Sequence, residues 1–167
     1  MNDRLTKKDI EDMEREIEHR KLVVRKELLE HVKEARAQGD LSENFEYYAA
    51  KKAKNENESR IRFLEKSIRT AHIIEDHTAE DQVGMNKTVR VKILDDNEEE
   101  VYKIVTTVRG NSLKGLISIE SPLGKALIGH RAGDRVTVRV NPEISYDLEI
   151  LSVENTGLSE EDAIRDF

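Results

Sequence analysis

Two carboxylates, Asp40 and Glu43, lie in the segment GDLSENFEYYAAKK (39–52), at the one break between two long charged stretches with helical periodicity. Two interpretations of the pair are open. An acidic residue at a helix start, followed by Glu three positions later, could form a variant capping box. Alternatively, residues three apart lie on one helical face, where two carboxylates could act as hard oxygen ligands for Mg²⁺. Two ligands are too few for a dedicated metal site, so this interpretation requires a second macromolecule to supply the others.

Other catalytic chemistry finds little support in the residues. The chain contains no Cys, which excludes disulfides and thiolate chemistry. Its five His residues are scattered, and His72 and His77 do not share a helical face, so a zinc site is not expected. Gly124–Lys125 matches only the end of a phosphate-binding loop, because Ile119 and Ala126 occupy two of its fixed positions. No Ser-centred elbow supports nucleophilic catalysis.

Two long helices are predicted to position the acidic pair. Residues 6–38 begin with the capping-type pair Thr6 and Asp9 and carry an apolar stripe at Ile10, Met13, Ile17, Val24, Leu28, Val32 and Ala35. Residues 43–74 carry a second stripe at Ala49, Ala53, Ile61, Leu64, Ile68 and Ala71, interrupted by the polar Asn57. Because Gly39 can end the first helix and the connection is short, the two helices should form an antiparallel hairpin about 45 Å long.

The second half of the chain has the shorter period of β-strands. Five runs rich in β-branched residues are predicted to be strands, at 88–94, 101–108, 116–119, 136–140 and 146–153. Pro122 should begin one short helix between the third and fourth strands. The acidic tail could fray, although Ser159 could cap a last helical turn. The predicted domains are therefore a hairpin (1–77), a globular domain (78–155) and a tail (156–167).

Charge and hydropathy narrow the class of protein. The net charge is −7, and 11 Lys and Arg face 17 Asp and Glu from Thr78 onward. Binding of duplex nucleic acid by this half is therefore not expected, because phosphate neutralisation needs clustered cations. The first residues lack the apolar core of a signal peptide, and no apolar run is long enough to span a membrane. We expect a cytoplasmic protein without a membrane partner.

Two segments of the chain resemble one known family. GDLSENFEYYAAK closely resembles the GDL-x-ENAEY-x-AAK tip of the bacterial GreA/GreB transcript cleavage factors, with flanking matches at EARAQGD and RIRFLE. Further along, ISIESPLGKALIGHRAGD resembles that family's SP-x-G-x-ALLGK-x-x-GD segment. The resemblance covers roughly residues 5–153. It implies an α+β fold, with an N-terminal antiparallel coiled-coil hairpin followed by a C-terminal FKBP-like antiparallel β-sheet domain with a short helix.

The resemblance also implies a partner and a mechanism. In this family the globular domain docks at the rim of the RNA polymerase secondary channel, and the hairpin reaches down the channel to the active centre. There Asp40 and Glu43 would help hold the second Mg²⁺, shared with the polymerase and not held by the isolated protein, and orient a water. The polymerase's own site would then cleave the extruded 3′ end of backtracked nascent RNA. Two-metal hydrolysis is consistent with such a role. The protein would thus be an activator, expected to be a monomer, and no enzyme itself.

Further residues take roles by the same resemblance. Asn44 and Tyr47 would support the tip by positioning RNA, and the open alternative is that Tyr47 packs across the hairpin end. Glu120, Ser121 and Pro122 fall where the family contacts the polymerase rim, and the alternative there is an ordinary strand-to-helix turn.

Departures from the family pattern leave other functions open. Phe45 replaces the usual Ala and Tyr48 the common His, and a large Phe could narrow the fit in the channel or stack on something within it. Lys26 stands where Pro is common, so a kink is not expected there. The chain could instead be a channel-binding regulator that inhibits or modulates the polymerase without stimulating cleavage. A peptidyl-prolyl isomerase or chaperone is a third alternative, but the globular half has few aromatic residues to line a proline-binding cleft.

Overall fold

The computed structural model describes residues 3–38 and 44–166. They divide into two compact units, one containing Lys7–His72 and the other containing Arg4–Thr6 and the chain from Ile73 onward. The predicted α+β class is confirmed, since one unit is a helical hairpin and the other a β-sheet with one short helix. Within the described ranges no helix is both long and apolar enough to cross a membrane.

The hairpin consists of α1 (Lys7–His19), α2 (Arg25–Arg36) and α3 (Phe45–Arg69). The single helix expected over 6–38 is helical from Lys7 to Arg36, but a π-helical turn, Arg20–Val24, separates α1 from α2. In this turn the backbone N–H of Arg25 bonds to the carbonyl of Arg20. A π turn inserts one extra residue into the helix, so it shifts the apolar stripe sideways without the Pro that usually bends a helix. The second helix ends at Arg69, before the expected residue 74.

The seam of the hairpin follows the predicted stripes with one exception. Met13 and Leu64 are fully buried, while Leu22 and Val23 lie on the outer face and are exposed. Ala49 was predicted in the second stripe but is exposed. The stripe was therefore wrong at this position, because Tyr47 and not Ala49 lies on the buried face of α3 that Asn57, Ile61 and Leu64 continue.

Asn57, which interrupts the second stripe, is a buried polar contact between the helices and not a gap in the seam. It is 3% exposed. Its Oδ1 accepts from Arg20 Nη1 (2.9 Å), and its Nδ2 donates to the carbonyl of Arg20 (3.3 Å). Glu16 joins the same group, accepting from Arg20 Nε (2.7 Å) and from Arg60 Nε (2.8 Å). A buried polar group satisfied by the facing helix favours one register of the two helices over others.

The second unit is built on a five-stranded sheet. In chain order its strands are β3 (Thr88–Ile93), β4 (Glu98–Val105), β5 (Leu116–Ser118), β6 (Arg135–Arg139) and β7 (Ser145–Glu154), arranged as β5-β4-β3-β7-β6. All neighbouring pairs are antiparallel except β4 and β5, which are parallel. The antiparallel sheet that the resemblance implied is therefore present, with one parallel pair at this edge. A further two-stranded sheet, β1 (Arg4–Leu5) with β2 (His72–Ile73), was not predicted.

One face of the sheet is covered by the short helix α4 (Pro122–Leu127), which begins at Pro122 as predicted. Alternate residues of the strands point into the core, as period-2 patterning requires. The fully buried members include Val89, Val91, Leu148 and Ile150, with Leu127 of α4 packed among them. The strand expected to reach residue 108 stops at Val105 and is followed by 3₁₀ turns at Thr107–Arg109 and Ser112–Lys114.

Candidate functional sites: the hairpin end and the turn before α4

The acidic pair lies in the five-residue connection between Gln38 and Asn44. Asp40 and Glu43 fall outside the described residues, whereas Gln38 and Asn44, on either side of the connection, lie within them. The N-cap of α3 is Asn44, with φ −88° and ψ 88°, and its side chain accepts from the backbone N–H of Tyr47. The capping interpretation therefore named the wrong residue, because Asn44 and not Asp40 caps α3.

The Asn44 amide also binds the other helix. Its Oδ1 accepts from Tyr47 N (3.0 Å), while its Nδ2 donates to the carbonyl of Ala35 (2.6 Å) near the end of α2. Because a side-chain amide carries both an acceptor and donors, one residue satisfies an orphan N–H of α3 and an orphan carbonyl of α2. Both ends of the acidic connection are thereby tied to each other.

Tyr47 adds a second tie between the helices. It is largely buried, its ring centroid lies 5.6 Å from the guanidinium carbon of Arg36, and its hydroxyl accepts from Arg36 Nη2 (3.3 Å). The hydrogen bond from Arg36 lowers the pKa of Tyr47, with smaller contributions from the positive charges of Lys51 and Lys54. The structure thus shows Tyr47 packed across the hairpin end, as the structural alternative predicted. A contact of Tyr47 with RNA stays a prediction.

The contacts of Asn44 and Tyr47 with α2 form a clasp at the hairpin end. Phe45 and Tyr48 lie beside this clasp, on the surface. Phe45 is 85% exposed and Tyr48 is 52% exposed. The Tyr48 ring meets the Tyr47 ring edge to face, with centroids 5.5 Å apart and planes at 64°. The two departures from the family pattern are therefore surface residues of the first helical turn and contribute little to the packing of the hairpin.

The donor set of the hairpin end fits Mg²⁺ in kind but not in number. Carboxylate oxygens are suitable ligands for Mg²⁺, which needs near-octahedral coordination. Within residues 3–38 and 44–166, no group of three or more His, Cys, Asp or Glu side chains is arranged to hold a metal ion. A Mg²⁺ ion at Asp40 and Glu43, with further ligands from another molecule, stays a prediction.

The second candidate site is the turn before α4, where Glu120, Ser121 and Pro122 follow one another. Ser121 is the N-cap of α4: its Oγ accepts from Gly124 N (3.0 Å) and donates to the carbonyl of Ser118 (2.7 Å). A Cβ at Gly124 would lie 2.0 Å from that same carbonyl oxygen, so only Gly fits. Ser121 and Gly124 are thus accounted for by the turn itself.

Glu120 and Pro122 differ from Ser121 because both are exposed. Glu120 accepts from Arg4 Nε at 3.1 Å, and both side chains of this ion pair remain 45% exposed. Thr107 Oγ1 lies 3.4 Å from the other carboxylate oxygen. Glu120 and Pro122 are therefore the members of this turn that a partner could reach. The sequence carried no signal for Arg4, which is 116 positions away.

A cleft of about 930 Å³ in the second unit bears on the isomerase alternative. It lies between the 3₁₀ turns, strands β6 and β7 and the tail, and is lined by residues that include Ile117, Val138, Val140 and Tyr146. Tyr146 is the only aromatic residue among the described lining residues. A proline-binding cleft is normally lined by several aromatic side chains, so the cleft does not favour an isomerase.

The chain is similar to known proteins along most of its length. Residues 4–73 match the family described as "Transcription elongation factor, N-terminal", and residues 78–155 match "Transcription elongation factor, GreA/GreB, C-term". The transcription elongation factor GreA of Streptococcus pneumoniae serotype 19F (strain G54) is 45% identical over 154 residues, which is 92% of this chain and 96% of that protein. The GreA of Streptococcus sanguinis (strain SK36) is 46% identical over 153 residues, 91% and 95% of the two chains. A crystal structure of GreA factor homolog 1 (Gfh1) of Thermus thermophilus is similar with 26% identity and a TM-score of 0.42, covering 92% of this chain and 99% of that one.

Proposed function

The chain belongs to the GreA/GreB family of transcription elongation factors, and on that premise we propose that it binds RNA polymerase and stimulates cleavage of backtracked nascent RNA. The observation that carries the proposal is the segment 39–52, where Asp40 and Glu43 match the family's acidic pair without a gap. The clasp at Asn44 and Tyr47 supports it, because it ties the start of α3, directly after the acidic pair in the sequence, to the end of α2.

In this mechanism the protein supplies position and charge, and the polymerase supplies the active site. Asp40 and Glu43 would contribute carboxylate oxygens to a Mg²⁺ ion whose remaining ligands come from the polymerase. Bound there, the ion would offset charge on the phosphate oxygens and make a coordinated water more acidic. The clasp joins α2 to α3 through the described residues that flank the two carboxylates, Asn44 bonding to Ala35 and Tyr47 to Arg36.

The test uses a stalled, backtracked RNA polymerase with 5′-labelled RNA. Adding the protein with Mg²⁺ should produce shortened RNA far faster than the polymerase alone. Asp40→Asn or Glu43→Gln should lower the cleavage rate by about 100-fold or more, the usual loss when one charged group is removed from a reaction centre. Binding, measured by co-migration with the polymerase, should persist in both variants. Full cleavage by Asp40→Asn would contradict the assignment.

Docking through the turn before α4 has its own test. The double variant Glu120→Ala/Pro122→Ala should weaken polymerase binding, measured as a higher concentration for half-maximal cleavage, while the rate at saturation changes little. The chain offers a matched control in Pro142→Ala/Glu143→Ala, which removes the same two residue types from another exposed turn of the same unit. Equal effects of the two double variants would count against docking at Glu120 and Pro122.

A second candidate function is favoured by one feature of the hairpin end. Phe45 is 85% exposed where the family has a small residue, and its bulk could block a narrow channel. The protein would then occupy the secondary channel and restrain the polymerase. Wild-type protein that binds but gives no cleavage above the polymerase alone, and gains cleavage activity with Phe45→Ala, would support this alternative.

A further inference from the structure

Two exposed aromatic rings lie side by side on the first turn of α3. Phe45 and Tyr48 are three positions apart, so they share one face of the helix. Lys52, four residues after Tyr48, continues the same face and is also exposed. Phe45 contributes nothing to the buried core of the hairpin. Keeping a large apolar side chain in water is unfavourable in free energy compared with burying it. A contact with another molecule would offset this cost.

The face is rigidly supported, as a binding surface should be. Tyr48 rests edge to face on Tyr47, and Tyr47 is held by Arg36 and by the Asn44 cap. Tyr48 is therefore supported by a side chain that is itself bound to the end of α2. The entropic cost of ordering the Tyr48 side chain when a partner ring binds would therefore be small.

Three lysines, Lys51, Lys52 and Lys54, follow the aromatic pair on α3, whereas the acidic Asp40 and Glu43 precede it in the sequence. Arg36, Lys51 and Lys54 are near enough to lower the pKa of the Tyr47 phenol, the hydrogen bond from Arg36 having the largest effect. Glu46 is the one acidic residue in the first turn of α3. Exposed aromatic rings beside cations are typical of surfaces that stack the bases of single-stranded nucleic acid and attract its phosphates.

We propose that Phe45 and Tyr48 form a stacking site for an unpaired nucleobase of RNA, and that this site holds the extruded 3′ segment near the acidic connection. The source of the RNA rests on the proposed function, while the stacking chemistry rests on the two exposed rings and on the lysines that follow them on α3. The competing occupant is an apolar wall of the polymerase channel. Such a wall would accept any apolar side chain of similar size, whereas a base requires an aromatic face.

The test pairs a protein change with an RNA change. Backtracked complexes are assembled with a synthetic RNA whose extruded nucleotides carry either normal bases or abasic riboses. The variant Phe45→Leu/Tyr48→Leu keeps apolar bulk but removes both π faces. With normal bases it should raise the concentration for half-maximal cleavage by about five- to tenfold, the lower range for loss of base stacking. With abasic RNA it should equal wild type. An equal loss with both RNAs, or no loss with either, would overturn the proposal.

Phe63→Leu is the matched control, since Phe63 is a partly exposed aromatic residue on the same helix, about 27 Å from Phe45 along the axis. It should show no dependence on the RNA bases, and a dependence equal to that of the tip variant would overturn the proposal. The conservative variant Phe45→Tyr/Tyr48→Phe should retain the dependence, and its loss would argue against stacking.

Cross-linking makes the inference independent of cleavage. A photoreactive base at the extruded 3′ position should cross-link to residues 45–48 of the Asp40→Asn protein, and Phe45→Leu/Tyr48→Leu should reduce the yield several-fold. If wild-type protein stimulates no cleavage but this cross-link forms, the proposed function fails and the stacking site stands. If cleavage is stimulated but neither cleavage nor cross-linking depends on the rings, the stacking site alone fails.

Discussion

At the scale of single residues, the Asn44 side chain forms hydrogen bonds with both helices that flank the acidic connection. It caps α3 and binds the Ala35 carbonyl of α2, two tasks that an ionised Asp cap, which can only accept hydrogen bonds, would not combine. The acidic residues of the connection are thereby released from the task of capping α3. The role of Asp40 and Glu43 in a partner's active site, which the proposed function requires, stays a prediction.

Asn44→Ala should lower the free energy of unfolding by about 1–2 kcal/mol, because it removes a helix cap and leaves the Ala35 carbonyl without this donor. Asn44→Asp should cost less, since a carboxylate still accepts from Tyr47 N and favours the helix N-terminus. Chemical denaturation followed by helical circular dichroism measures both. Asn55→Ala, at an exposed position of the same helix, is the control and should change stability by less than about 0.5 kcal/mol.

Gly124 and Ser121 illustrate the opposite case, in which a recognisable motif has a local structural reason. The Ser118 carbonyl accepts from Ser121 Oγ and approaches Gly124 too closely for any Cβ. The resemblance placed Ser121 in a partner interface together with its neighbours. The structure shows its hydroxyl engaged in the turn, and leaves Glu120 and Pro122 as the members that face solvent. Their role in docking stays a proposal.

At the scale of elements, the hairpin is held in register by a polar group in its seam. Glu16, Arg20, Asn57 and Arg60 connect α1, the π turn and α3 through hydrogen bonds between 2.7 and 3.3 Å. Burial alone would raise the pKa of Glu16, but hydrogen bonds and charge from Arg60 and Arg20 outweigh it and leave this pKa below its ordinary value of 4.5. The carboxylate is therefore the stabilising form.

The pH dependence follows from the direction of this shift. A carboxyl whose pKa is lower in the folded state stabilises the fold above its ordinary pKa, and this contribution is lost as pH falls through the lower, folded value. Glu16→Gln should therefore be less stable than wild type at pH 7, and the difference should shrink below about pH 4.5. Denaturation curves from pH 7 to pH 3 measure this. Glu65→Gln, which disrupts the more exposed pair with Lys21, should change stability less at pH 7.

The edge of the sheet is an element whose direction patterning could not predict. Between Val105 and Leu116 the chain makes two 3₁₀ turns, and Gly115 adopts a left-handed conformation (φ 73°) before β5 begins. This path brings β5 back parallel to β4 over three residues. Alternation of apolar residues identifies a strand and its buried face, but the same alternation suits either direction.

At the scale of the whole molecule, the C-terminal tail is part of the folded second unit. Asp162 is 5% exposed and accepts from Lys103 Nζ (2.6 Å) and Ser159 N (2.9 Å), while Arg109 Nη1 donates to its carbonyl (2.9 Å). Arg165 N donates to the carbonyl of Val108 (2.7 Å). The tail expected to fray is thus bound to β4 and the following turn, and Ser159 begins its last 3₁₀ turn as predicted.

Asp162→Asn should destabilise the second unit by about 1–3 kcal/mol, because Lys103 is mostly buried and would lose its charged partner. Thermal unfolding of the full chain measures the change, and hydrogen exchange at Arg109 and Gly110 should report faster local opening. Glu160→Gln, at an exposed position of the same tail, is the control. A similar small effect of both variants would show that the tail contributes little.

The sequence by itself determined the class of fold, the order of a helical half followed by a strand-rich half, and the start of α4. Periodicity and capping residues depend on neighbours a few positions apart, so a linear sequence displays them directly. The acidic segment was also identifiable from the sequence, through its resemblance to a family to which the chain belongs.

Contacts between distant residues were decided only by the tertiary structure. The clasp of Asn44 with Ala35, the bonds of Asn57 to Arg20, and the ion pairs Arg4–Glu120 and Lys103–Asp162 join residues 9 to 116 positions apart. The π turn and the parallel edge strand likewise follow from how side chains meet across elements. Such contacts depend on the register and direction of packing, which local pattern does not encode. That is why Phe45 and Tyr48 could be recognised as exposed, supported rings only in the folded protein.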